Sequence, residues 1–130
     1  MIVDTSVLVC VHEGEPDARD YLEVMPGADR LSISAGTLLE TSTVLDARAP
    51  LRSSRRLDRL LRDLRLDIVP VDDEQVAVAR AAYRDYAKGS GHPAGLNFGE
   101  CFVYALATTS GEPLLFKGDD FTHSDVTRAR

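Results

Sequence analysis

Ile2-Val3-Asp4-Thr5-Ser6 opens the chain with two β-branched residues followed at once by three helix-capping residues. β-Branched side chains favour extended backbone, whereas Asp, Thr and Ser carry oxygens that accept from the free N–H groups of a first helical turn. The five residues therefore read as a strand turning directly into a helix. The same order recurs. Leu31–Ser34 reads as a strand, followed by a helix over Ala35–Arg48 with Leu38, Leu39, Ser42 and Leu45 on one side. Asp67–Val71 is a third strand, after which Asp72 or Asp73 opens a long helix whose Val76, Ala79, Tyr83 and Tyr86 face inward. Asn97 opens a helix to about Thr109, and Leu114–Phe116 forms a fourth strand before the turn Lys117-Gly118-Asp119-Asp120.

The remaining segments fit between these units. Val7–His12 continues the first helix until Gly14 and Pro16 break it, and Pro16–Met25 forms a second. Ser53 caps a helix to about Leu64, with Leu57, Leu60, Leu61 and Leu64 as its apolar stripe. Gly89–Leu96 is a loop, and a further short strand is expected near Val126. Strands alternating with helices imply one α/β domain over residues 1–130: a mostly parallel sheet of about four to five strands with helices on both faces. Ligands in such sheets gather at the carboxyl ends of the strands.

Composition bounds the class. Of 130 residues, 44% are hydrophobic and 28% charged, as in an ordinary globular domain large enough to stand without disulfide or metal staples. Cys10 and Cys101 lie in apolar runs away from any CxxC spacing and read as buried reduced thiols of a cytoplasmic protein. No basic segment precedes the first apolar run, so no secretory signal is expected. The uncharged stretch Cys101–Gly111 is too short to cross a bilayer, so no membrane partner is expected. The net charge of −6 argues against nucleic acid as a partner. Its distribution argues the other way, because seven arginines face only two aspartates between residues 48 and 65.

Four acidic positions stand out. Asp4 ends Ile2-Val3, and Asp119-Asp120 follow Leu114-Leu115-Phe116, so two central parallel strands would bring these carboxylates to one edge. Glu40 and Glu100 sit within predominantly apolar helical segments, where a carboxylate is costly to bury unless it is paired or binds a metal. Each also has a plainer role. Asp4 can cap a helix, Asn97-x-x-Glu100 matches a capping box, Glu40 can point outward, and Asp119 or Asp120 can be a turn residue.

In their order, four blocks resemble the PIN-domain ribonucleases, and within them the VapC toxins of bacterial toxin–antitoxin pairs. They are Ile2-Val3-Asp4-Thr5-Ser6, Leu39-Glu40-Thr41, Gly95-Leu96-Asn97-Phe98-Gly99-Glu100-Cys101-Phe102 and Leu114-Leu115-Phe116-Lys117-Gly118-Asp119-Asp120-Phe121. The resemblance covers essentially the whole chain. It implies a PIN-like fold, an endoribonuclease dependent on Mg²⁺ or Mn²⁺, a homodimer and a VapB-type antitoxin that blocks the site. Carried over by position, the family's first acid falls on Asp4, with the Ser6 hydroxyl close behind, and its second on Glu40. The third, normally aspartate, falls on Glu100, and the fourth on Asp120, with Asp119 able to substitute. Glu100 departs from the pattern by one methylene. It keeps the charge and both oxygens but shifts a geometry to which Mg²⁺ is sensitive.

The residues themselves show acids suited to hard divalent cations, which activate water, stabilise charge on phosphorus and assist the leaving oxygen. An RNA substrate, expected to be structured as tRNA or rRNA is, would need cations along its backbone. Arg52, Arg55, Arg59 and Arg62 offer one such face, although a solvated helix face accounts for them equally, and Lys117 stands beside the acidic turn. His12, His92 and His123 are scattered, and Gly89-Ser90-Gly91 lacks the GK[ST] ending of a phosphate-cradling loop. Two other readings stand beside the nuclease. One is a catalytically weak PIN-like protein that binds antitoxin or RNA. The other is a phosphohydrolase built on Asp4 as nucleophile, with Lys117 as its partner.

Overall fold

A computed structural model describes residues 1–48 and 50–129. Strands β1 (Ile2–Val3), β2 (Ser32–Ser34), β3 (Asp67–Val69) and β4 (Leu114–Leu115) form one sheet in the order β3-β2-β1-β4, every pair parallel. Ile2 stands opposite Ser32 on one side and Leu114 on the other. The helices among the described residues are α1 (Thr5–Glu13), α2 (Ala18–Val24), α3 (Ala35–Asp46), α4 (Pro50–Asp63), α5 (Asp73–Tyr86) and α6 (Phe98–Ser110). None is long and apolar enough to cross a membrane.

Strand order explains the layering. The chain steps from β1 to β2 to β3 in one direction, then crosses back to the far side of β1 at β4. Right-handed crossovers in opposite directions put their helices on opposite faces. Buried side chains divide accordingly. Val3, Ile33 and Leu115 pack with Val7, Leu8, Tyr21 and Met25 beneath α1–α4. Ile2, Leu114 and Phe116 pack with Leu96, Val103, Tyr104 and Leu106 beneath α5 and α6. This alternation along each strand is the two-residue period of extended backbone. Such sheets bind ligands in a crevice at the carboxyl ends of the strands where the order reverses, which here is beside β1 and β4.

Local chemistry sets the element ends. Asp4 caps α1 through Ser6 N, and Gly14, at φ +70°, closes it in a left-handed conformation suited to glycine. Asp72 caps α5 through Gln75 N. Asn97 and Glu100 form a complete reciprocal capping box at α6.

Several expectations shift. α4 begins at Pro50, a residue tolerated in a first helical turn, so Ser53 is a buried interior residue and not the cap. Its leucine stripe does face the core, with Leu57 buried and Leu60, Leu61 and Leu64 half-buried. On α3 the buried side is Thr37, Thr41 and Leu45, and Leu39 is 66% exposed. α5 turns Gln75, Ala79, Ala82 and Tyr86 inward, whereas Val76 and Tyr83 line an open groove with Phe98 and Phe102 of α6. The strand expected near Val126 reduces to a single bridge between Leu114 and Arg128.

Candidate active site

Asp4 stands at the carboxyl end of β1 and is only 6% exposed. Its backbone N–H donates to the Leu115 carbonyl at 3.0 Å, which fixes it beside β4. Its Oδ2 accepts from Ser6 N at 2.9 Å and from Ser6 Oγ at 2.5 Å. The Ser6 hydroxyl also accepts from the backbone N–H of Lys117 at 3.0 Å, tying the ends of β1 and β4 together through one side chain. Burial pushes the Asp4 carboxyl above its ordinary range; the Ser6 hydrogen bonds oppose the rise and Glu40 adds to it.

Glu40 projects from the middle of α3, and its Oε2 accepts from Thr5 Oγ1 at 2.9 Å. The carboxylate lies against the backbone of Gly99 in the first turn of α6, where a Cβ would collide with it. Glycine at 99 therefore leaves the room that the Glu40 carboxylate occupies over the start of α6.

Glu100 plays two parts at once. Its Oε2 accepts from Asn97 N at 2.8 Å, which completes the capping box. Its carboxyl is also pushed up to about 7, first by burial and then by the charges of Asp120, Asp4 and Glu40. Glu100 thus feels the charges of the other three acids, and Asp4 that of Glu40, although the four come from separate parts of the chain. Asp120 lies in the exposed turn after β4, entered through Gly118 at φ +91°. Asp119 is also exposed, and its carbonyl accepts from Thr122 N at 2.9 Å.

The donor set fits a hard divalent cation. Hydrogen bonds to these carboxylates come from hydroxyls and backbone amides, and none of the four pairs with a lysine or arginine among the described residues. Clustered carboxylates without a counter-charge are the arrangement a bound cation relieves. A second cluster, Cys10 with Glu15 and Asp17, brings its ligand atoms closer together, within 4.8 Å of one another. That space is already taken. The Lys117 ammonium donates to Glu15 Oε2 at 2.5 Å and to Asp17 Oδ1 at 2.8 Å, and lies 3.9 Å from Cys10 Sγ.

This placement corrects the expectation that Lys117 offers a phosphate contact. Its proton affinity is raised by Asp17 and Glu15, so the charge is already paired within the chain. It also removes the lysine that a phosphohydrolase centred on Asp4 would need.

Arg52, Arg55, Arg59 and Arg62 are exposed on α4 and are not brought to the acidic crevice. Arg56 and Arg59 line a hollow with Val11 and His12 at the last turn of α1, about 12 Å along that helix from Asp4. His12 is buried there as a hydrogen-bonded residue, its Nε2 3.2 Å from the Ser53 carbonyl. His92 packs at a tilt against Tyr86, and its Nδ1 accepts from Ala94 N at 3.2 Å. Sequence reasoning missed Thr5, Thr41 and Gly99. Thr5 is adjacent to Asp4, but its bond to Glu40 spans 35 residues, and no local pattern announces it.

Comparison with known proteins identifies the family. The PIN domain family matches residues 1–126. The chain is similar to Ribonuclease VapC28 of Mycobacterium tuberculosis, with 47% identity over 129 residues, covering 99% of this chain and 97% of the relative. Among solved structures it resembles VapBC2 from Rickettsia felis bound to a DNA fragment from their promoter, with a TM-score of 0.78 and 15% identity over 98% of this chain and 95% of that one. It also resembles Mycobacterium tuberculosis VapC20, a sarcin-ricin loop cleaving toxin, with a TM-score of 0.75 and 15% identity over 97% and 95% of the two chains.

Proposed function

We propose, for a chain that belongs to the PIN-domain family and to its VapC ribonucleases, that Asp4, Glu40, Glu100 and Asp120 form the metal-dependent centre at which RNA is cut. The observation carrying this reading is that Asp120, Asp4 and Glu40 all bear on Glu100, while none of the four pairs with a lysine or arginine among the described residues. These residues would hold Mg²⁺ or Mn²⁺, which when bound supplies a Lewis acid for the scissile phosphate and lowers the pKa of a water.

The chain's own residues orient and tune the site. Ser6 fixes Asp4 by Oδ2, Thr5 fixes Glu40 by Oε2, and Asn97 fixes Glu100 by Oε2. In the cation-free chain burial and the neighbouring acids raise Glu100 to about 7, so it is only partly ionised at neutral pH and cation loading depends on pH. Asp120, on its exposed turn, is the fourth acid on this reading, because its charge bears on Glu100; Asp119 is the neighbour able to replace it.

Partners follow from the surface. A VapB-type antitoxin would block the crevice in the cytoplasm. A homodimer is supported by the exposed apolar Val76, Tyr83 and Phe98 around the α5–α6 groove, and it would present two acidic sites to a structured RNA. The α4 arginines would then hold RNA phosphates away from the scissile bond. A second reading, a weakly active protein that mainly binds antitoxin or RNA, is favoured by one observation: Glu100 spends a carboxylate oxygen on its capping box.

The test is cleavage of total cellular RNA by the purified chain with EDTA, Mg²⁺ or Mn²⁺, beside Glu100→Asp. Metal-dependent cleavage by the natural chain supports the nuclease. Cleavage by Glu100→Asp alone supports the binding reading.

A further inference from the structure

Lys117 stands in a half-buried charged cluster outside the acidic crevice. Its parts come from three places: Cys10 on α1, Glu15 and Asp17 in the α1–α2 connection, and Lys117 just after β4. The ammonium donates to both carboxylates, and the Cys10 thiol donates to Asp17 Oδ1 at 3.3 Å. Burial and that hydrogen bond hold the thiol up at about 11, so it stays neutral and the cage balances one ammonium against two carboxylates. Contacts spanning 100 and 102 residues thereby lock the start of α2 to the end of β4.

The same residue reaches the acidic crevice through its backbone. Lys117 N donates to Ser6 Oγ, and Ser6 Oγ donates to Asp4 Oδ2. Lys117 also precedes Gly118 and the Asp119-Asp120 turn. The side chain therefore grips one end of the molecule while the main chain sets the position of two of the four acids.

We propose that Lys117 is a positioning residue for the carboxylate centre: its ammonium, seated between Glu15 and Asp17, holds the β4 end in the register that places Ser6, Asp4 and the Asp120 turn together. The inference rests on the reading of the four acids as a cation site. Its expected effect has a sign that plain electrostatics does not share. Removing a positive charge near a cation site, and leaving two carboxylates uncompensated, would tighten cation binding by Coulomb attraction alone. Loss of positioning loosens it.

The experiment is calorimetric titration of Mn²⁺ into the full chain, Lys117→Met, Glu15→Gln/Asp17→Asn and the triple variant, with melting temperatures recorded for each. Mn²⁺ affinity should fall about tenfold in Lys117→Met, the scale at which residues supporting metal ligands act. The double variant should show a similar loss, and the triple no more than Lys117→Met, because the three groups act as one unit. Should Lys117→Met fail to fold, Lys117→Gln carries the test with the same change of charge, because neutralising Glu15 and Asp17 would by itself weaken Mn²⁺ binding. Unchanged or tighter Mn²⁺ binding in a folded variant overturns the positioning role alone. An unmodified chain that binds no Mn²⁺ overturns the cation site and this inference with it.

Discussion

Thr5 Oγ1 donates to Glu40 Oε2 at 2.9 Å, joining the first turn of α1 to the middle of α3 directly beside Asp4. Thr41 Oγ1 lies 3.1 Å from the Thr5 hydroxyl and donates to the Thr37 carbonyl at 2.8 Å. Glu40 is thus held by a hydroxyl network and not by a lysine or arginine among the described residues. Thr5→Val keeps the shape and deletes the donor. Mn²⁺ affinity should fall about tenfold, and stability by about 1 kcal/mol, read by calorimetry and by denaturant unfolding.

Gly99→Ala should separate activity from folding. Alanine is the better helix former by about 1 kcal/mol, but its Cβ would meet the Glu40 carboxylate. Glu40 must move for the helix to remain, so RNA cleavage should drop by more than tenfold while circular dichroism stays unchanged. At Gly36, by contrast, a Cβ would meet the Phe102 ring, and Gly36→Ala should lower the melting temperature.

Glu100 links stability to pH. Its folded carboxyl is pushed up to about 7 from the ordinary glutamate value of 4.5, chiefly by burial. The folded chain therefore holds more protons than the unfolded one between these values, and this group's contribution to stability falls as pH rises from about 4.5 to 7. Glu100→Gln keeps an acceptor for Asn97 N and removes the charge. In EDTA, its melting temperature should exceed that of the natural chain above pH 7, and the difference should vanish near pH 4. A constant difference across that range would assign the effect to packing instead.

The α4 arginines offer a separable prediction. Arg55→Gln and Arg59→Gln should weaken RNA binding across sequences, each reducing the salt slope by about 1. Mn²⁺ affinity should remain unchanged, because α4 meets α1 at its last turn, away from Asp4. Binding measured at several salt concentrations checks both statements.

Much of this arrangement was legible in the chain. Ile2-Val3-Asp4 and Leu114-Leu115-Phe116 announce buried strands, and parallel pairing brings the carboxylates beyond them to one edge. Asp72 and Asn97 announce helix starts by residue type alone. The features that stayed hidden depend on distant packing. Val76 and Tyr83 look like core residues by period, yet the groove between α5 and α6 leaves them exposed and turns Gln75 and Ala82 inward. Lys117 looks like a free cation beside an acidic turn, and only the fold reveals that Glu15 and Asp17 have taken its charge. The capping and acidic roles of Glu100 seemed to be alternatives, but one side chain performs the first while standing among the other acids.

The most direct measurement compares the natural chain with Asp4→Asn, titrating Mn²⁺ and assaying RNA cleavage on the same samples. The carboxamide keeps an oxygen to accept from Ser6, so the melting temperature should hold while Mn²⁺ binding and cleavage are both lost. Full cleavage by a folded Asp4→Asn chain would contradict the assignment of the four acids as the catalytic centre.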